Sequence, residues 1–153
     1  LRVTCEVTPH HFALHDQEII PYDSNYRMKP PIRCNHDLDA MIAGIRAGVV
    51  DAIATDHAPH SVTDKMQEFE RCPFGILGLE TAIGLTLERL VSPGHISVTR
   101  MVELFTSGPA GILKLNRGAL TPGLPGDVTI LDLDDEWTYD VSKTPSKSRN
   151  SPF

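Results

Sequence analysis

The period of the apolar positions changes several times along the chain, and each change predicts an element. Residues 2–7 alternate loosely and are β-branched enough for a strand, ended by Thr8-Pro9. Residues 10–29 are polar and irregular, with Pro21 and an Asp23-Ser24-Asn25 turn cluster, and Pro30-Pro31 then forbids helix locally. From Asn35 onward, Leu38, Met41, Ile42, Ile45 and Val49 recur at spacings of three and four, which is one face of a helix, with Gly48 as its C-cap. Residues 49–55 follow as a short, mostly apolar run, the pattern of a strand buried on both faces in a parallel sheet. Helix, glycine turn and buried strand in that order is an α/β signature.

Beyond a loop at 57–75, rich in His, Pro and charge, Leu79, Ile83, Leu87 and Leu90 mark a second amphipathic helix, closed by Ser92-Pro93-Gly94. Ser97 is a good N-cap for a third, carrying Met101, Val102, Leu104 and Phe105. Ser107-Gly108-Pro109 restarts a short fourth through Leu115. After Asn116 the character shifts. Gly118, Pro122-Gly123 and Pro125-Gly126 punctuate short segments, residues 127–132 read as a strand, and Trp137-Thr138-Tyr139 as a weaker one. The expectation is an α/β unit over residues 1–115 and a partial small β unit over residues 116–153.

Composition adds limits. A chain of 153 residues with 41% hydrophobic and 22% charged content is globular in character and long enough for a core. The net charge of -6, with no clustering of Lys or Arg, argues against nucleic acid or an anionic membrane as main partner. The 3 cysteines are widely spaced, so neither a zinc knuckle nor a disulfide framework is indicated, and a reducing cytoplasm fits. No apolar stretch is long enough for a membrane span. The chain opens at Leu1 without Met and closes on polar, loop-like residues, so the expectation is a fragment of a longer protein.

Asp56, His57 and His60 follow directly on the buried strand, at the edge where active sites form in parallel α/β folds. A carboxylate and two imidazoles there could bind a metal or move protons, and a capped loop with surface histidines accounts for them equally. His10-His11 is a second candidate. Neighbours on an extended segment face opposite ways, so one packed and one exposed histidine is the favoured reading. Arg27, Lys29 and Arg33 around Pro30-Pro31 make a rigid cationic loop suited to a carboxylate, or a solvated one. Pro73-Phe74-Gly75 could bring backbone N–H groups close to a ligand.

Taken together, the segments resemble the dihydroorotase family of the amidohydrolase superfamily. The matching pieces are Glu6-Val7-Thr8-Pro9-His10-His11, Pro30-Pro31-Ile32-Arg33, Thr55-Asp56-His57-Ala58-Pro59-His60 and Pro73-Phe74-Gly75-Ile76-Leu77-Gly78-Leu79-Glu80. Gly126-Asp127-Val128-Thr129-Ile130-Leu131-Asp132 and Ser148-Arg149-Asn150-Ser151-Pro152-Phe153 extend the likeness over essentially the whole chain. The resemblance implies the C-terminal portion of a metal-dependent (β/α)8 TIM-type barrel, namely its last two strands with their helices, followed by strands of a small β domain.

The implied activity is the reversible cyclisation of N-carbamoyl-L-aspartate to L-dihydroorotate in pyrimidine synthesis, with two zinc ions activating the attacking hydroxide. By the same resemblance Asp56 binds one zinc and acts as general acid/base, His60 contacts the substrate carboxylate, and the backbone of Phe74 and Gly75 contacts the ring. His57 is then structural. The sequence departs from the family twice. Lys29 stands where the family usually has a substrate-binding Asn, and the family's His-x-His, later His ligands and bridging carboxylate have no counterpart after Leu1. A fragment so lacking is expected to be inactive alone. Two alternatives remain: an allantoinase- or hydantoinase-type relative, and a non-catalytic subunit that scaffolds aspartate carbamoyltransferase. A homo-oligomer is also compatible with the resemblance.

Overall fold

The structure is a computed structural model that describes residue 1, residues 3–19 and residues 22–153. Its framework is a parallel strand pair, β1 (Glu6–Val7) and β2 (Ala52–Ile53), in the register Glu6 to Ala52 and Val7 to Ile53. Asp51 N donates to Cys5 O at 2.8 Å and Ala54 N to Val7 O at 3.0 Å, while the Asp51 carboxylate caps the pair by accepting from Cys5 N at 2.8 Å. Parallel strands require a crossover, and its described parts are α1 (Pro9–Ala13), residues 14–19 and 22–34, and α2 (Asn35–Arg46).

The expected helix from Asn35 forms as read, with Ile45 buried and Leu38, Met41 and Ile42 half-buried. It stops at a Schellman turn. Gly48, at φ 75°, donates to Ile45 O, and Val49 N reaches back to Gly44 O. That turn carries Val49 off the helix face and leaves it 63% exposed, so the predicted face ends one residue short of its last apolar position. The next apolar residues, Val50, Ala52 and Ile53, are buried.

Three expectations need correction. Only Glu6–Val7 of the predicted first strand is paired, and Arg2 lies outside the described residues. Residues 9–13 of the stretch read as irregular form α1, because Pro9 sits in the first helical turn behind an extended Thr8; Pro21 lies outside the described residues. The predicted strands at 127–132 and 137–139 do not form among the described residues. A strand exists by pairing, and no described segment pairs with these: Val128 is 69% and Ile130 91% exposed.

α3 (Val62–Lys65) lies in the loop that follows β2, and the helices after it pack behind that strand. α4 (Ala82–Thr86) widens over Leu87–Val91 into a π turn, with Ser92 N donating to Leu87 O at 2.8 Å. α5 (Val98–Phe105) starts, as its sequence predicts, from Ser97, whose hydroxyl accepts from Arg100 N. Gly108 lets α6 (Ser107–Ile112) close onto the start of β2, since a Cβ there would lie 2.5 Å from Asp51 O. Val7, Phe12, Ile45, Ile53, Leu90, Met101 and Leu104 form the main core. Leu14, Met28, Ile32 and Ile76 form a smaller one beneath the loops at the C-terminal end of β2. No described helix is long and apolar enough to cross a membrane.

His10, on α1, is 2% exposed and its Nε2 is buried without a hydrogen-bond partner among the described residues. Burial, reinforced by the neighbouring His11, pushes its pKa down to about 3. The unfolded chain binds a proton near pH 6.5 that the folded chain refuses until about pH 3. Stability from this group is therefore full above about pH 6.5 and declines by roughly 1.4 kcal/mol per unit as pH falls towards about 3. Urea midpoints between pH 7 and 4.5 should show this slope, flattened by His10→Gln; equal slopes in both proteins would refute the assignment.

Candidate functional site

The chain leaves β2 through Thr55 and turns sharply at Asp56, which has φ 47°. A non-glycine residue in that region is uncommon, although Asp tolerates it better than most. The Asp56 side chain is exposed at the C-terminal end of a parallel strand, and its carboxylate accepts no hydrogen bond and pairs with no cation among the described residues. Those features oppose the capped-loop reading, in which Asp56 would accept local backbone N–H groups.

His57 does what that reading required of Asp56. Its Nδ1 accepts from Gly78 N at 3.2 Å and Leu79 N at 3.3 Å, which leaves the ring proton on Nε2. Gly78 is needed at this crossing because a Cβ would lie 2.4 Å from Thr55 O. Ala58 N donates to Ile76 O at 2.8 Å, so residues 57 and 76 run parallel as a continuation of the sheet.

His60 donates Nε2–H to Phe74 O at 2.8 Å, since a carbonyl can only accept. The same loop is fixed from beneath by Asn150, which is 3% exposed. Asn150 Nδ2 donates to Ala58 O at 2.9 Å and Gly75 O at 3.1 Å, and its Oδ1 accepts from His60 N at 3.1 Å. Leu77 N donates to Asn150 O at 2.9 Å. Gly75 O also accepts from the Lys65 ammonium at 3.1 Å, and Gly75 N donates to Arg27 O at 2.9 Å. Both backbone groups of Gly75 are thus engaged within the protein. Leaving any one of these buried groups unpaired would cost about 1–3 kcal/mol.

Of the three cations flanking the Pro-Pro pair, two have partners. Arg27 lies 4.3 Å from the centroid of the Phe74 ring and donates to Cys72 O. Arg33 pairs with Asp37 at 2.9 Å on the surface. Lys29 is exposed, forms no described ion pair, and holds its ammonium 5.9 Å from the Phe74 ring centroid. The structure therefore gathers His60, Phe74, Gly75 and Lys29 around one loop cluster, and Asp56 lies just before this loop at the end of β2.

His10 is buried on α1, and His11 braces the cationic loop rather than joining the site. His11 bridges Thr8 Oγ1 and Pro30 O, the latter at 2.8 Å, and so ties the Pro-Pro loop to the end of β1. Among the described residues, no three His, Cys, Asp or Glu side chains gather as a metal site. Asp56 presents an uncommitted oxygen donor, and one carboxylate by itself does not make a metal site.

Sequence reasoning missed Lys65 and Asn150. Asn150 lay in a motif that was recognised without being given a role. Lys65, a single lysine in the short helix α3 (Val62–Lys65), carried no pattern at all. Ser61 starts that helix, its hydroxyl accepting from Asp64 N, and so sets where Lys65 falls.

No family model matches the chain. A dihydroorotase from Solibacter usitatus (strain Ellin6076) is 63% identical over 154 residues, covering 100% of this chain and 36% of the relative. One from Geobacter sp. (strain M21) is 47% identical over 153 residues, with the same coverage of 100% and 36%. The chain thus spans about a third of the length of the curated relatives it matches. Among solved structures, L-hydantoinase (dihydropyrimidinase) from Arthrobacter aurescens superposes with a TM-score of 0.85 at 28% identity, over 92% of this chain and 32% of that one.

Gly75 has φ 116°, and a Cβ on it would lie 2.4 Å from the Ala58 Cβ. Gly75→Ala should destabilise the protein by at least about 2 kcal/mol. Gly44, in α2 with nothing within 4 Å of its Cβ position, is the control. Gly44→Ala should leave stability unchanged or raise it by up to about 1 kcal/mol. Urea denaturation of the two variants checks the pair, and a Gly75→Ala protein as stable as wild type would contradict the geometry.

Proposed function

The chain belongs to the dihydroorotase family, and from that premise we propose that it is the C-terminal part of a zinc-dependent dihydroorotase, acting on L-dihydroorotate and N-carbamoyl-L-aspartate. The observation that carries the proposal is the uncommitted Asp56 carboxylate at the C-terminal end of β2, beside a loop that bears His60. Barrel enzymes place their chemistry at that end of the strands.

In this reading Asp56 takes a proton from the attacking water and delivers it to the ring nitrogen as the amide bond breaks. Lys29 and His60 hold the acid of the substrate, His60 through Nδ1–H as an imidazolium whose Nε2–H stays on Phe74 O, and the Phe74-Gly75 loop holds its ring. The zinc pair, when bound, would polarise the carbonyl and activate the water. Asp56 is one ligand for it; the others belong to the remainder of the parent, so no step is assigned to the metal within this chain. The 153 residues alone should accordingly show no turnover.

A hydantoinase-type activity is the second reading, favoured by the likeness to the Arthrobacter aurescens enzyme. The cation and imidazole beside Phe74 speak for an acidic ureide instead.

In the full-length parent, Asp56→Ala should lower kcat by about 10² to 10⁴-fold, the range of lost acid–base catalysis. His60→Ala should chiefly raise KM for dihydroorotate, by about 10- to 100-fold, as expected for a lost hydrogen bond to a charged group. Steady-state assays with dihydroorotate, allantoin and hydantoin separate the readings. Normal kinetics in both variants would end the role assignment, and a preference for hydantoin would favour the second reading.

A further inference from the structure

Lys65 is 6% exposed, and among the described ion pairs none includes it. Its ammonium instead meets three backbone carbonyls: Pro73 O at 3.0 Å, Gly75 O at 3.1 Å and Arg27 O at 3.5 Å. Three donors meet three acceptors, which is how a buried ammonium is accommodated without a counter-ion. Burial is also the main reason its pKa lies below the ordinary lysine value.

Those carbonyls are not scattered. Pro73 and Gly75 flank Phe74, and Arg27 lies two residues before Lys29, so one side chain grips both loops that approach His60. Peptide planarity then fixes a further direction. In a trans peptide the N–H points opposite to the C=O. With Pro73 C=O turned to Lys65, the Phe74 N–H of the same peptide unit points away from the buried ammonium. That N–H makes no hydrogen bond among the described residues, whereas Phe74 O, Gly75 N and Gly75 O are all engaged.

We propose that Lys65 is a positioning residue for substrate binding: by holding the Pro73 and Gly75 carbonyls it presents the Phe74 amide N–H as a fixed donor to a carbonyl of the cyclic ureide ring. This rests on the reading that the parent binds dihydroorotate at this loop cluster. A fixed donor lowers the ordering cost of binding, so the loss of Lys65 acts on affinity before it acts on chemistry.

The test uses the full-length, metal-loaded parent. Lys65→Met keeps the apolar stem and removes the charge. It should raise KM for dihydroorotate about tenfold or more, leave kcat within about threefold and metal content unchanged, and speed hydrogen exchange over residues 74–77. In the wild-type parent, dihydroorotate should slow exchange of the Phe74 amide, a measurement that stands even if Lys65→Met fails to fold. An unchanged KM in a folded Lys65→Met protein, or a Phe74 amide whose exchange ignores the ligand in a wild type that binds it, overturns the proposal. A wild-type parent that neither binds nor turns over dihydroorotate overturns the reading beneath it, which is a distinct result.

Discussion

Backbone that leaves a strand and stays partly buried must find partners for peptide groups that no ladder satisfies. Around the end of β2 that requirement is met by side chains. Asn150 mimics a peptide, offering a donor and an acceptor at once to Ala58, His60 and Gly75. Lys65 offers only donors and gathers only carbonyls. Gly75 O receives both, so the two devices meet at one atom and the loops around it have little freedom to move independently. His60, Phe74 and the approach to Lys29 take their positions from this knot.

The strained turn at Asp56 follows from the same arrangement. A positive φ at a non-glycine residue persists only where its surroundings over-determine it. On one side Ala54 is fixed to Val7; on the other, His57 is fixed to Gly78 and Leu79, and Ala58 to Ile76. With both flanks pinned, Asp56 adopts the conformation left to it, and its carboxylate emerges without a local partner. Had Asp56 accepted the amides that His57 accepts, the loop would be equally well formed and the carboxylate consumed.

How much of this was legible in the sequence depended on the range of the interaction responsible. α2, its Gly48 turn and the Ser97 cap of α5 were readable because periodicity and capping act within a few residues. α1 was not: five residues give too few turns for a helical period to show, and Phe12 is buried by residues far along the chain. The tail failed in the opposite direction. Residues 127–132 have the local pattern of a strand, but a strand is a relation between segments, and the pattern names only one of them. Asp56 and His60 were placed by motif, whereas Lys65 and Asn150 act over separations of up to 92 residues, which leave no local imprint.

Net charge was the least informative quantity for the site. A net charge of -6 repels an acid only at long range, because the potential at a loop is set by what lies within a Debye length of it, about 8–10 Å at moderate ionic strength. Phe74 has Arg27 and Lys29 within 5.9 Å of its ring centroid, and His60 holds the carbonyl of the same residue. Arg27 is engaged with the ring and with Cys72 O, but neither partner neutralises its charge, so it still contributes to the local field. Lys65 adds a buried positive charge behind the same loop, where screening by salt is weakest. The acidic residues that give the chain its overall sign, such as Asp37 beside Arg33 and Glu103 beside Arg100, sit on the surface with cations of their own. A basic site on an acidic chain therefore involves no contradiction: the negative charge is spread and screened, while the positive charge is gathered where the backbone knot holds it.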